Sequence, residues 1–108
     1  HFIELYSATG NTTQGYNDIK LRFKNKSTNQ YEKNVTVTWM PVMHMTSMTH
    51  SCPKSTVSKI SADGTLYEGY IMFQMAQNAT EYWDLKIDYT INGTAYTATS
   101  VIDVPLFV

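Results

Sequence analysis

A chain of 108 residues, 43% of them hydrophobic and 13% aromatic, makes one domain of ordinary size with enough apolar mass to fill a core. Eight Lys/Arg against nine Asp/Glu leave a net charge of −1, which excludes the basic footprint of a nucleic-acid binder. The single Cys excludes an internal disulfide, and no apolar run approaches the roughly 20 residues that cross a bilayer as a helix.

Along the chain the dominant signal has period two. Ile19, Leu21 and Phe23 alternate with Lys20, Arg22 and Lys24, which predicts a strand with one buried and one wet face. Thr9-Gly10-Asn11 and Gln14-Gly15 mark a turn before it, and Lys26-Ser27-Thr28-Asn29 marks one after it. Val35, Val37 and Trp39 form the next apolar face. Ala62-Asp63-Gly64-Thr65 precedes a predicted strand over Leu66–Met75, in which Ile71, Phe73 and Met75 share a face. Trp83, Leu85, Ile87 and Tyr89 alternate in the following run. Asn92-Gly93 predicts a two-residue hairpin, because both residues tolerate positive φ, and Tyr96, Ala98, Ser100, Ile102 and Val104 line the last strand. No segment carries a sustained helical repeat. Seven to eight short strands so spaced imply an all-β fold of two packed antiparallel sheets, an immunoglobulin-like or cupredoxin-like sandwich without the Cys-Trp-Cys signature of antibody domains.

Between Met40 and Cys52 the composition changes. Four of the six Met, two of the three His and the only Cys fall within thirteen positions. Thioether, imidazole and thiolate are the donors that select Cu(I), and so many thioethers favour copper over zinc. Thioethers also need no deprotonation to bind. Were residues 43–50 one extended strand, His44 and His50 would lie about 20 Å apart, with Met43 and Met45 on one side and His44, Met48 and His50 on the other. A compact site therefore requires the segment to fold back, or to borrow Met72 or Met75 from the Tyr70–Met75 run. Pro41 and Pro53 bracket the segment and leave room for an irregular path. The alternative use of these methionines is packing, since Met fills irregular core gaps well, and Cys52 fits a small buried apolar residue equally.

Catalytic patterns are absent: no paired-carboxylate motif, no phosphate-cradling glycine loop and no Gly-x-Ser-x-Gly elbow. Ser51-Cys52-Pro53 with His50 adjacent is no evidence of a Cys–His nucleophile, because neighbours along a strand point to opposite faces. His1 with His44 or His50 has the residue types of a histidine brace for copper, with nothing else in the chain to support an oxidase. Five Asn-x-Ser/Thr triplets, at Asn11, Asn25, Asn34, Asn78 and Asn92, are expected by chance in so Asn- and Thr-rich a chain. A start at His1 without a basic and apolar leader fits a processed chain or a domain excised from a longer protein.

Trp39-Met40-Pro41-Val42-Met43-His44-Met45, then His50-Ser51-x-Pro53, Tyr67-x-Gly69-x-x-x-Phe73-x-Met75 and the Trp83-led strand together resemble the YtkA-like domain family over about residues 17–104. The resemblance implies an immunoglobulin-like sandwich in a bacterial envelope protein, periplasmic or lipid-anchored, that handles copper. It points to Met43, His44, Met45, His50 and Met75 as ligands and leaves Cys52 outside the set; Met48 joins them from the cluster itself. The resulting expectation is a single non-enzymatic domain over 1–108 that stores, delivers or senses Cu(I). Its expected partners are the metal ion and another envelope protein or a second domain of the same chain. The rival expectation is a structural or protein-interaction module whose Met cluster is packing.

Overall fold

Among the described residues the alternation seen in the sequence becomes eight strands, whose inward side chains meet between two sheets. The computed structural model describes residues 1–7 and 10–106. The strands are β1 (Phe2–Ser7), β2 (Gly15–Lys24), β3 (Thr36–His44), β4 (Thr49–His50), β5 (Ser58–Lys59), β6 (Tyr67–Phe73), β7 (Tyr82–Ile91) and β8 (Thr94–Ile102). One antiparallel sheet has the order β1-β2-β6-β5 and the other β4-β3-β7-β8. That order follows the A-B-E-D and C′-C-F-G pattern of immunoglobulin sandwiches.

Inward faces supply the core: Ile19, Leu21 and Phe23 from β2, Tyr67, Ile71 and Phe73 from β6, Val37, Trp39 and Met43 from β3, and alternate residues of β7 from Trp83 to Ile91. Rings bridge the sheets, Phe23 to Tyr89 at 4.9 Å and Phe73 to Trp83 at 5.0 Å between centroids. At the centre Trp39 lies against Gly69 of the opposite sheet. A Cβ placed on Gly69 would sit 2.8 Å from the Trp39 ring atom Cη2, inside van der Waals contact. The indole N–H, buried with the ring, donates to Ser55 O at 2.9 Å. Glycine at 69 is therefore a packing requirement.

The turns follow the residues that announced them. Asn92 and Gly93 both have positive φ, 51° and 81°, and close the β7–β8 hairpin with Ile91 opposite Thr94. Asn25 and Asn78 accept from backbone N–H groups two and three residues ahead, so their side chains act as turn formers. Asn17, buried, is satisfied by Thr13 N–H and by the carbonyls of Thr13 and Gly15. Thr9 of the first expected turn lies outside the described residues; Gly10 beside it has φ 90°.

Two boundaries differ from the sequence expectation. The strand expected over Leu66–Met75 ends at Phe73, so Met75 does not continue the apolar face of Ile71 and Phe73. The final strand stops at Ile102, and Val104 reaches the core beyond it, where its N–H and C=O pair with Gln77. In both places the chain leaves the ladder to cross the end of the sandwich, a tertiary demand with no local signal.

Two measurements test this packing. Gly69→Ala is expected to destabilise the fold by about 1–3 kcal/mol through overpacking against Trp39, read from urea midpoints. Asp63 accepts from Ser61 Oγ and from the hydroxyl and N–H of Thr65, which hold its carboxyl at about 2 instead of 3.8. A depressed folded-state value adds stability above the unfolded pKa, and that increment disappears as pH falls toward 2. Asp63→Asn should flatten this part of the acid limb in urea titrations between pH 5 and pH 2.

Candidate metal centre

β3 carries the Met/His segment to the end of the sandwich, where it turns back on itself. Met43 pairs with His50 and His44 with Thr49 in the β3–β4 ladder, and Met45 N–H donates to Met48 O at 2.9 Å across the turn. Side chains alternate along a strand and directly opposed residues share a face. The register therefore puts Met43, Met45, Met48 and His50 on the inner face of the hairpin and His44 on the outer face. Extended geometry would have grouped Met48 and His50 with His44; the fold-back reverses that grouping.

The inner-face residues differ in access. Met43 is 0% exposed and belongs to the core. Met45 packs against the core while partly exposed, and Met48 at the hairpin tip is 58% exposed. The His50 ring meets the Trp83 indole edge-on at 5.7 Å, and its Nδ1 lies 2.9 Å from Ser51 O. Trp83 Nε1 donates to Met75 O at 2.8 Å, so the Met75 backbone borders the same indole, and the Met75 side chain is partly exposed. The end of the sandwich thus gathers Met45, Met48 and His50 on one hairpin with Met75 beside their aromatic neighbour.

His44 is engaged elsewhere. On the outer face its Nε2 lies 2.6 Å from Asp84 Oδ2, and its ring stacks on Tyr82 at 4.8 Å and 16°. Both partners come from β7, Tyr82 directly opposite and Asp84 diagonal. Their roles were not legible in the sequence, because nothing there pairs residue 44 with residues 82–84. His44 and His50 face opposite sides of one sheet and do not share an ion in this arrangement.

The remaining soft donors lie apart. Met40 is on the outer face of β3, its sulfur 3.3 Å from Ser51 Oγ, and Met72 is on the outer face of the other sheet beside Tyr16. Cys52 packs partly against the core, and burial pushes its thiol up to about 11. Since the thiolate is the metal ligand, its use would require an unfavourable deprotonation. His1 sits 5.1 Å from the Tyr96 ring and 3.3 Å from the Glu32 carboxylate. It lies near the Tyr89 end of β7, roughly 20 Å of strand from Trp83 and His50, too far for a brace with either hairpin His. Among the described residues no three His, Cys, Asp or Glu converge to hold an ion, so a centre here has to draw on thioethers.

Compared with known protein families, with curated proteins and with solved structures, the chain matches none.

Cys52 gives the local test. Its smaller thiolate fraction outweighs the greater nucleophilicity of a more basic thiolate. Folded protein at pH 8 should therefore react with a disulfide reagent roughly tenfold more slowly than urea-unfolded protein. Equal rates would remove the burial assigned to this thiol.

Proposed function

We propose that this domain is a non-enzymatic Cu(I)-binding module of the bacterial cell envelope. The ion would be held at the β3–β4 hairpin by Met45, Met48 and His50, with Met75 as the neighbouring fourth donor. The observation that carries the reading is the hairpin register, which aligns two accessible thioethers and an imidazole on one face at an exposed edge of the core. These donors suit Cu(I), which favours soft ligands and accepts low coordination numbers. Thioethers need no deprotonation, so Met45 and Met48 stay available to the ion in an acidic compartment. Bound copper would be stored, delivered or sensed there, with a second envelope protein or domain as the exchange partner. The resemblance to YtkA-like domains supports the same reading and the extracytoplasmic setting.

Met43 and His44 are assigned structural work in this proposal, the first by its burial and the second by its Asp84 and Tyr82 contacts. The burial of Met43 also favours the rival reading, an interaction module in which the methionines pack the sandwich end. Titration of the apo-protein with Cu(I) against a chromogenic chelator under anaerobic conditions separates the two. One equivalent should bind, and Met48→Ala with His50→Ala should weaken it at least tenfold, whereas Met43→Leu and His44→Ala should bind as the unaltered chain does. No competition with the chelator, or equal affinity for all variants, would leave the interaction module as the function.

A further inference from the structure

Four strands lie at sheet edges, and three of them are poor templates for another chain. β4 and β5 have two residues each, and β1 carries Glu4 in its middle. Short length and charge are the usual devices against edge-to-edge pairing. β8 has neither. Its nine residues, Thr94-Ala95-Tyr96-Thr97-Ala98-Thr99-Ser100-Val101-Ile102, include no charge, no Pro and no Gly, and Val101 is 68% exposed.

The hairpin determines which backbone groups β8 leaves open. A two-residue loop makes Ile91 and Thr94 a hydrogen-bonded pair, and such pairs recur at every second residue. Thr94, Tyr96, Ala98, Ser100 and Ile102 therefore turn their N–H and C=O toward β7. Ala95, Thr97, Thr99 and Val101 turn theirs outward. Among the described residues no backbone hydrogen bond from another segment reaches these four.

We propose that β8 is a self-pairing edge through which two copies of this chain join their sheets antiparallel about a twofold axis at Ala98. In that register Thr97 opposes Thr99 of the second copy and Ala95 opposes Val101, so all four outward residues exchange hydrogen bonds. Symmetric registers centred on residue 97 or 99 leave one of the four without a counterpart inside the strand. Ala98 meets its own copy as a non-hydrogen-bonded pair, where Cα atoms approach to about 4.5 Å. A small residue suits this closest point, and Ala98 is one. The two Thr97–Thr99 pairs set the Thr97 hydroxyl, which donates to Asp88 Oδ1 at 2.6 Å, where it can accept from Thr99, and no like charges oppose each other. The twofold uses up the β8 edge on both copies, so this contact closes as a dimer. One strand edge buries less than the roughly 1,200 Å² of a stable interface, which places the dimer in the micromolar range or weaker. This inference is independent of the copper reading.

Sedimentation equilibrium over a concentration series from micromolar to millimolar should show the mass rising from 12.3 kDa to twice that value and no further. Thr99→Pro removes an N–H that β7 does not use, so it should abolish the dimer while preserving the far-ultraviolet spectrum. Thr99→Lys provides the same test with an unaltered backbone should the proline variant fail to fold. In a Cys52→Ala background, Ala98→Cys should form an interchain disulfide under mild oxidation at least tenfold faster than Thr94→Cys, which the register sets opposite Ile102. A chain that stays monomeric to millimolar concentration would overturn the proposal. So would a dimer that both Thr99 variants leave intact, an assembly that grows beyond two copies, or cross-linking without preference for position 98.

Discussion

The contact between Trp39 and Gly69 organises the molecule. Between two sheets about 10 Å apart, the Trp39 indole reaches the backbone of the opposing strand only if that strand gives up its own side chain at the point of contact. Gly69 does so, and the indole N–H, which would be costly to bury alone, is satisfied by Ser55 O. The contact locks β3 to β6 in one register. Every inward residue of β3 is then set, from Val37 through Trp39 and Pro41 to Met43, and so is the point at which β3 emerges from the core.

What happens at that point decides which soft donors can act together. Burial takes Met43, because the position continues the face that Trp39 began. The next residue, His44, is turned to the opposite face by the period of the strand, where the β7 register supplies Asp84 and Tyr82. Only when the chain leaves β3 and folds back at Met45–Met48 do donors gather without being sealed into the core. Trp83 anchors this corner from the other side. Its ring packs on Phe73 and lies perpendicular to the His50 ring, and its N–H holds the Met75 carbonyl.

The same ladder that buries β7 leaves β8 half committed. β7 is covered on its inner face and paired on both sides, whereas β8 packs Ala98 and Ile102 partly against the core and stacks Tyr96 on Tyr89. Its conformation rests on the Asn92-Gly93 turn and on β7. An exposed strand held this way keeps its outward backbone groups extended and aligned, which is the arrangement a second strand needs.

The fold class was legible in the sequence because period two, β-branched and aromatic residues and the Asn-Gly turn all point to one architecture. Ile19, Leu21, Phe23, Val37, Trp39, Leu85 and Ile87 were readable as core from alternation alone. The Met and His chemistry was readable as well, since residue type carries donor character. Which of those donors face one another was not, because facing depends on register, and register is set by contacts between residues far apart in the chain. The family resemblance put His44 with Met43 and Met45, and extended geometry put it with Met48 and His50; the fold gave His44 to Asp84, Met43 to the core, and Met48 with His50 to the face of Met45. Local patterns thus determined the strands and the kinds of donor atom present. The side of the sheet, access to solvent and the open edge of β8 were decided by tertiary structure, because a shift of one residue in pairing exchanges the two faces of a strand.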